Sequence, residues 1–268
     1  VEGSAGSFRT GNKRNWTMYD DFAGVYDTLM DDYDYDAWSR YYLDLICDAH
    51  GKIPQRAAEC ACGTGNLTLG LFRRGFQMTG VDLSQEMLWI AAQKARKQGI
   101  GLPFIQQDMR KLHLHRQMDA VIATCDGVNY LLTDADVCAF FRAAYAAMRP
   151  GGVLAFDVST PWKLENVVGN ELICEDREDV TYVWQNSFNK KTGICEMALC
   201  FFLKEKDGRY RRIDEEQKQR AHTREGLTAL LQSCGFIDVH VYGNSRMESP
   251  RDKEQRWHFA ARKPEITE

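Results

Sequence analysis

The sequence of 268 residues lacks any apolar run near the roughly 18 residues that a membrane-spanning helix needs. Its start also lacks the charged, apolar and small-residue regions of a secretory signal peptide. The formal net charge of -4 leaves no basic excess of the kind that tracks nucleic-acid phosphates. These absences argue against a membrane protein and against a nucleic-acid partner, and we expect a cytoplasmic protein.

Metal and redox signatures are missing as well. The nine cysteines are scattered through apolar segments, as at Cys138 and Cys200, and no His and Cys cluster has the spacing of a zinc site. Cys60 and Cys62 are too close together for the chemistry of a CxxC motif. We therefore expect reduced thiols and no bound metal.

The sequence does contain a regular alternation of strand and helix patterns. The strand-like runs, which alternate with segments of helical period, lie at 57–61, 77–81, 104–107, 119–124 and 153–158. Such an alternation predicts an α/β fold with a doubly wound, Rossmann-like sheet. Two further strand patterns, at 236–242 and 255–262, follow a helix that begins after Thr223.

Between about 170 and 222 the helical period disappears, and only strand-like runs separated by tight-turn signals remain. The expected organisation is a flexible tail at 1–15, a Rossmann-like domain with an N-terminal helical lid at 16–165 and 223–268, and an inserted antiparallel β subdomain at 166–222. The insert carries an apolar stripe of Met197, Leu199 and Phe201 that must be buried against something. A homodimer through the inserted sheet is one way to bury it.

The strongest chemical signal is the segment ECACGTGN at 59–66, directly after the first strand. Gly63 and Gly65 permit a sharp turn and let the backbone approach a ligand closely. The helix that follows offers its N-terminus to an anionic group. The alternative is that both are simple turn glycines.

An acidic residue ends each of the next two strands. Asp82 lies where a carboxylate can accept hydrogen bonds from both ribose hydroxyls, and Asp108 lies where one can accept the adenine amino group. Because the carboxyl ends of parallel strands meet at one edge of the sheet, these signals together predict a bound adenosine. The alternatives are a helix cap for Asp82 and a surface loop for Asp108.

Two features distinguish the possible adenosine cofactors. A dinucleotide-binding motif requires a third glycine, but Thr68 occupies that position. Glu59 would repel a pyrophosphate, whereas it suits a ligand that carries an ammonium and a sulfonium. The loop therefore favours S-adenosylmethionine over a nicotinamide dinucleotide.

The segments ECACGTGN, GVDLS, QQDMR and MRPGG resemble the sequential motifs of class I S-adenosylmethionine-dependent methyltransferases. The aromatic opening YDDFAGVYDTLMDDYDYDAW, the segment TCDGVNYLL and the β-rich insert are similar to the YqeM-like subgroup of small-molecule-type bacterial methyltransferases. This resemblance implies an enzyme that uses S-adenosylmethionine, and a seven-stranded sheet whose last strand is antiparallel.

The resemblance also implies a set of cofactor-binding residues. They are Glu59, Ala61, Gly63 and Gly65 around the methionyl part, Asp82 at the ribose, Asp108 and Met109 at the adenine, and Cys125 beside the sulfonium. Ala61 occupies a position that is often glycine. Leu83 and Met87 are expected to pack within the helix or loop that follows the second strand, and they are also candidate ligand contacts. Tyr26 belongs either to a lid over the cofactor or to a helix packed on the core.

The acceptor side has fewer signals. Asp126 and Tyr130 follow the fourth strand, where class I enzymes place acceptor-binding or basic groups, and His222 lies where the insert rejoins the core. We expect these three residues to contact the acceptor or assist catalysis. A turn cap would also explain Asp126, and a buried hydrogen bond would explain His222.

Methyl transfer is an in-line displacement, so the enzyme chiefly positions the nucleophile, and it needs a base only if that nucleophile arrives protonated. We expect an O or N nucleophile of a small molecule as the acceptor. One rival hypothesis is a non-catalytic S-adenosylmethionine-binding protein. A second, a nucleic-acid methyltransferase, would need a basic face, and the cluster around Arg211 is offset by acids such as Asp214.

The glycine loop and its acidic neighbours give the first testable prediction. The protein should bind S-adenosylmethionine and its demethylated product, S-adenosylhomocysteine, in preference to NAD. Isothermal titration calorimetry with the three ligands tests this. Tighter binding of NAD than of S-adenosylhomocysteine would contradict the assignment.

Overall fold

A computed structural model describes residues 26–27, 33–51 and 53–266. The predicted tail at 1–15 lies outside the described residues, as does most of the predicted lid. Among the residues described, no helix is both long enough and apolar enough to cross a membrane.

The elements from the amino terminus to the end of the first α/β region are α1 (Tyr35–His50), β1 (Arg56–Cys60), α2 (Asn66–Arg73), β2 (Gln77–Asp82), α3 (Gln85–Lys97), β3 (Phe104–Gln106), β4 (Met118–Ala123), α4 (Asp134–Ala147), β5 (Met148–Ser159) and α5 (Pro161–Asn166). They are followed by β6 (Leu172–Asp176), β7 (Val180–Asn189), β8 (Ile194–Lys204), β9 (Tyr210–Arg220), α6 (Arg224–Ser233), β10 (Ile237–Gly243) and β11 (Arg256–Arg262). Short 3-10 helices occur at Met109–Lys111 and Gly127–Tyr130.

The main sheet has seven strands in the order β10-β11-β5-β4-β1-β2-β3. Strands β1 to β5 run parallel to one another, whereas β11 pairs antiparallel with both β5 and β10. The predicted α/β fold with an antiparallel last strand is confirmed. This order places the carboxyl ends of β1 and β4 side by side at the centre of the sheet, where ligands bind in folds of this type.

Both faces of the sheet are covered. On one side the helices α1 and α2 bury residues such as Tyr42 and Leu71, and on the other α4 and α6 bury Phe141 and Leu231. Helix α1 begins where the Asp34 carboxylate accepts a hydrogen bond from the Ala37 N–H, at 2.9 Å. The central strands are therefore buried on both faces, which explains why they read as continuous apolar runs.

The insert forms a separate antiparallel sheet in the order β6-β7-β8-β9, as the turn signals predicted. Two elements of this region were not predicted from the sequence. Helix α5 has clear start signals, because Thr160 caps it through a hydrogen bond with the Lys163 N–H and Pro161 occupies its first position. Strand β6 is short and lies at the sheet edge, where the alternation of apolar residues is weak.

The apolar stripe of the insert faces its own chain. Met197, Leu199 and Phe201 are only 5%, 7% and 1% exposed, and they belong to one buried cluster with Met87 of α3 and Leu164 of α5. The expectation of a homodimer rested on this stripe needing a partner. The stripe is already buried within the chain, so that reason no longer holds.

Strand β11 is joined to α1 through a buried histidine. The Tyr42 hydroxyl lies 3.1 Å from His258 Nδ1, and the His258 ring also packs edge-on against Trp38 and Tyr41. Burial, with a contribution from Arg256, lowers the pKa of His258 to about 3. The folded protein therefore holds this imidazole neutral near pH 7.

This histidine predicts how stability depends on pH. Between the ordinary histidine pKa of 6.5 and the lowered one, the folded protein binds fewer protons than the unfolded chain, so acidification through that range favours unfolding. We expect His258 to account for a loss of about 1–2 kcal/mol in the free energy of unfolding between pH 6.5 and pH 5.

Urea denaturation at the two pH values measures this loss. His258→Gln should make the dependence on pH shallower, and His240→Gln, at an exposed position on β10, is the matched control. An unchanged slope in His258→Gln would show that other groups set the acid sensitivity.

Candidate active site

The loop after β1 adopts a left-handed backbone at three positions. Ala61, Gly63 and Gly65 have φ values of 53°, 54° and 76°. A Cβ on Gly65 would lie 2.9 Å from the Ala91 Cβ, so this residue must be glycine for α2 to pack against α3. At Gly63 no atom of the described residues lies within 4 Å of where a Cβ would be, so among these residues the turn leaves space that a ligand can enter.

The same geometry explains the departure from the common pattern at Ala61. A left-handed conformation costs an alanine roughly 1 kcal/mol more than it costs a glycine. Ala61 keeps its place because Gly127, on the loop that follows β4, leaves room beside it. A Cβ on Gly127 would lie only 3.1 Å from the Ala61 Cβ.

Asp82, at the end of β2, holds the loop in this shape. One carboxylate oxygen accepts a hydrogen bond from the Gly63 N–H at 2.7 Å, and the other accepts one from the Ser84 N–H at 2.9 Å. Helix α3 is capped instead by the Ser84 hydroxyl, which accepts from the Met87 N–H at 3.2 Å. Asp82 is therefore not the helix cap, and each of its oxygens keeps a lone pair for a further donor.

Glu59 lies beneath the loop and is only 2% exposed. Its carboxyl accepts hydrogen bonds from the hydroxyls of Thr68 and of Thr124, the latter at 3.2 Å. Burial raises the pKa of Glu59 to about 8, although the two threonine hydroxyls act in the opposite direction. A positive group placed nearby would favour the carboxylate, so this site is suited to a cation.

The described part of the N-terminal region is attached to the glycine loop. The Asp27 carboxylate accepts hydrogen bonds from the Thr64 hydroxyl at 2.7 Å and from Asn66 Nδ2 at 3.0 Å, and it forms an ion pair with Lys94. Burial raises the pKa of Tyr26, and the nearby Cys125 contributes to this rise. Tyr26 packs against the buried cluster that contains Met87 and Leu164, and its role as a lid stays a prediction. Asp27 is a contact that the sequence analysis missed.

A buried ion network fixes the loop after β4. Asp157 of β5 is fully buried and accepts hydrogen bonds from the N–H groups of Cys125 and Asp126, at 3.0 and 2.9 Å. Arg256 of β11 donates to both Asp157 and Asp126. Cys125 and Asp126 both have a left-handed backbone, and these bonds hold them there.

Aromatic groups complete the network on the side of α1. The Tyr33 hydroxyl lies 3.1 Å from a guanidinium nitrogen of Arg256, and the guanidinium lies over the Trp38 ring at 5.2 Å. The sequence analysis overlooked Asp157 and Arg256, although a charged residue inside an apolar strand pattern was a usable signal.

The hydrogen bonds and ion pairs of this network determine whether Asp126 can act as a base. Besides Arg256, its carboxylate accepts a hydrogen bond from the Ser159 hydroxyl at 2.9 Å. Burial raises the pKa of Asp126, but Arg256 and Lys163 outweigh burial and lower it. Asp126 is therefore an ion-paired carboxylate that positions its loop, and it is poorly suited to act as a base.

Tyr130 and His222 lie where the insert meets this loop. The Tyr130 hydroxyl donates to Gln217 Oε1 of β9 at 2.9 Å. His222 is 4% exposed, and burial with Arg220 lowers its pKa to about 4, so the ring is neutral near pH 7. Within the described part of the chain, His222 Nε2 has no hydrogen-bond partner.

The Asn129 side chain connects the loop after β4 to β5 and to the insert, and both of its polar atoms form hydrogen bonds. Its Nδ2 donates to the carbonyl oxygens of Ser159 and Arg220, at 3.0 and 2.9 Å, and its Oδ1 accepts from the Ser159 N–H at 2.9 Å. The side chain ties the loop to β5 and to the end of the insert.

The remaining predicted cofactor residues occupy different environments. Asp108 lies two residues beyond the end of β3, is half-buried, and forms an ion pair with Arg110 at 2.6 Å, which lowers its pKa. Met109 packs against the core, and Met87 is buried beneath the insert, whereas Leu83 is 56% exposed. The structure thus brings Asp82, Leu83 and Asp108 to one edge of the sheet but already pairs Asp108 with a cation.

Comparisons with known proteins agree with this arrangement. A family described as "Methyltransferase domain" matches residues 57–152. The chain is 34% identical over 247 residues to the Bacillus subtilis (strain 168) protein YqeM, which is named as a methyltransferase, and the match covers 92% of this chain and 97% of that one.

Two solved structures share the fold. An S-adenosylmethionine-dependent methyltransferase from Clostridium acetobutylicum ATCC 824 matches with a TM-score of 0.83 at 30% identity, over 92% of this chain and 99% of that one. An amino pentose methyltransferase from Micromonospora echinaspora, solved with S-adenosylmethionine bound, matches with a TM-score of 0.71 at 21% identity, over 94% of this chain and all of that one (100%).

The fold and the loops at its carboxyl edge define an α/β enzyme that binds an adenosine cofactor. The chain belongs to the S-adenosylmethionine-dependent methyltransferases, and within them it is related to YqeM.

The residues present fit this cofactor. The open turn at Gly63 leaves room for a ligand, and Asp82 keeps lone pairs for hydroxyl donors. The buried carboxyl of Glu59 suits a positively charged methionyl group. These three residues would hold the methionyl part and the ribose.

This fit predicts the effect of removing the Asp82 carboxylate. Asp82→Ala should weaken binding of S-adenosylhomocysteine by about 1.5–3 kcal/mol, the usual cost of losing hydrogen bonds to a charged group. Calorimetry measures the affinity, and thermal unfolding shows whether the variant remains folded. Asp214→Ala is the matched control, since this exposed carboxylate of the insert is paired with Arg212 and is not among the predicted cofactor residues. An affinity within twofold of the parent would mean that Asp82 serves only the loop.

Proposed function

We propose that this enzyme transfers a methyl group to an O or N nucleophile of a small molecule. The observation that supports the proposal best is the Tyr130–Gln217 hydrogen bond, by which the inserted sheet covers the loop beside the glycine turn. An acceptor at this edge must fit between the loop and the insert. A space bounded in this way suits a small molecule better than a polymer.

Each part of the site has a role in this proposal. Glu59 and Asp82 hold the donor, and Asp157 with Arg256 fixes the loop that carries Cys125 and Tyr130. When bound, S-adenosylmethionine supplies an electrophilic methyl group on a positively charged sulfur. The chain's own residues orient the acceptor and exclude water from it.

The protonation states argue for positioning rather than strong base catalysis. Asp126 is ion-paired with Arg256, and His222 is a weak base because burial lowers its pKa to about 4. His222 can accept a hydrogen bond from the acceptor without taking its proton. A nucleophile that arrives deprotonated, such as a neutral amine, needs no more than this.

A nucleic-acid acceptor receives less support. Arg209 and Arg212 of the insert form ion pairs with Asp207 and Asp214, at 2.6 and 2.7 Å. These arginines therefore do not present a continuous basic face to a phosphate backbone. A non-catalytic S-adenosylmethionine-binding protein remains the rival, and turnover distinguishes it from the enzyme.

Two further expectations stay proposals. We place the enzyme in the cytoplasm, where free thiols such as those of the nine cysteines persist. A homodimer through the insert would have to use the face opposite to Met197, Leu199 and Phe201, since those side chains are buried within the chain.

Substitutions at Tyr130 and His222 test the proposed acceptor site. Tyr130→Phe and His222→Gln should each reduce methyl transfer about tenfold or more while the affinity for S-adenosylhomocysteine stays within twofold, because both side chains lie on the insert side. Calorimetry gives the affinity, and turnover is followed by the release of S-adenosylhomocysteine with an acceptor found by screening small amines and alcohols.

Tyr145→Phe is the matched control. Tyr145 is a half-buried residue of α4 that packs against Phe236, away from the loop that follows β4. Equal losses of affinity and turnover would place Tyr130 or His222 in the donor site or the core. Unchanged turnover would remove them from the acceptor site. A protein that binds S-adenosylhomocysteine and methylates no compound in the screen would favour the non-catalytic rival.

A further inference from the structure

The inner face of the inserted sheet contains buried polar groups without partners. Asn186 of β7 is 4% exposed, and neither its Nδ2 nor its Oδ1 has a hydrogen-bond partner in the described part of the chain. Trp184, two residues earlier on the same face, has a buried indole N–H that is also unpartnered there. An amide left in this state destabilises the fold, because it loses its bonds to water and gains none.

A second buried asparagine shows how unusual this is. Asn129 uses its Nδ2 twice and its Oδ1 once in hydrogen bonds to the backbone. The same residue type is therefore fully satisfied at one buried position and fully unsatisfied at another. Within the described residues the Asn186 side chain contributes no hydrogen bond to the fold, so this side chain is available for a different purpose.

The register of the insert shows where this group lies. Asn186 pairs with Met197 of β8, and Met197 pairs with Gln217 of β9, so the three side chains form one row across the sheet. Gln217 accepts the hydrogen bond from Tyr130. Because neighbouring strands lie about 4.8 Å apart, Asn186 is about 10 Å from the loop contact, within the length of a small molecule.

The adjacent row across the sheet also places a buried polar group, without a hydrogen-bond partner among the described residues, beside an apolar side chain. Trp184 pairs with Leu199, and Leu199 pairs with Glu215. Together the two rows present an indole N–H and an amide beside apolar side chains, with one carboxylate at the edge. Within the described residues, no lysine or arginine is among the buried side chains of this face.

The chemistry of these groups selects a class of acceptor. A primary amide offers a donor and an acceptor side by side, and a pair of neighbouring hydroxyls is an uncharged partner that matches both. A phosphate would find no lysine or arginine as a counter-ion among the buried, described side chains of this face.

We propose that Asn186 and Trp184 recognise the methyl acceptor, and that this acceptor is a neutral or amine-bearing polyhydroxylated small molecule of monosaccharide size. The inference rests on the proposed methyltransferase function. It adds the class of substrate and the residues that select it.

The first test compares the two buried asparagines. Asn186→Leu should leave the melting temperature equal to or above that of the parent, because it replaces unsatisfied polar atoms by an apolar group of similar shape. Asn129→Leu should lower it by several degrees, because three hydrogen bonds are lost. If Asn186→Leu lowers it as much as Asn129→Leu does, Asn186 is structural and the proposal is wrong. Asn186→Ala repeats the comparison should leucine prove too large.

The second test measures binding directly, without turnover. Amide and indole resonances are followed by ¹H–¹⁵N spectroscopy in the S-adenosylhomocysteine complex, with methyl α-D-glucopyranoside, glucosamine and glucose 6-phosphate as probes. The Asn186 side-chain amide and the Trp184 indole N–H should shift with the first two probes and not with the phosphate. Asn186→Leu should weaken binding of these two probes at least fivefold while the affinity for S-adenosylhomocysteine stays within twofold.

Gln185→Leu, on the opposite face of β7, is the matched control and should change neither affinity. Shifts with the phosphate alone, or with no probe, would overturn the proposed class of acceptor. An equal loss of S-adenosylhomocysteine affinity in Asn186→Leu would place Asn186 on the donor side. Failure of the parent protein to bind S-adenosylhomocysteine at all would instead refute the methyltransferase function, so the two failures are distinguishable.

Discussion

The site depends on one buried ion pair, between Arg256 of the last strand and Asp157 of the fifth. Removing Arg256 would leave the fully buried Asp157 carboxylate without its counter-ion, which costs about 3–5 kcal/mol. The pair joins three separate parts of the chain, because Asp157 binds the loop after β4 while the Arg256 guanidinium contacts Tyr33 and Trp38. The antiparallel last strand thereby becomes part of the active site, although it carries no group expected to touch the cofactor.

Two kinds of connection extend from this centre. Asn129 and the Tyr130–Gln217 bond join the loop after β4 to the insert, whereas Asp27 joins the N-terminal region to the glycine loop. The glycine loop and the loop after β4 are therefore each attached to a different segment of the chain.

The fold could be predicted from the sequence because its strongest signals are local. The strand and helix periods, the glycine loop and the acid at the end of β2 all arise within a few neighbouring residues. Helix α5 was missed although its start signals are local. The other missed features depend on distant contacts: β6 has little apolar alternation and pairs with β7, and the roles of Asp157 and Arg256 exist only once β5 and β11 lie side by side. The unsatisfied side chain of Asn186 could not be predicted from the sequence for the same reason, since an unsatisfied amide can be recognised only when its surroundings are known.

The left-handed backbone at Cys125 and Asp126 has a further consequence. Two consecutive N–H groups that point to the same side of the backbone form a concavity of the kind that binds anions in many proteins. Here the concavity is filled from inside by the Asp157 carboxylate, at 3.0 and 2.9 Å. An external carboxylate or phosphate finds its hydrogen-bond donors already occupied and a negative charge behind them. The loop after β4 therefore does not present these two N–H groups to an external anion.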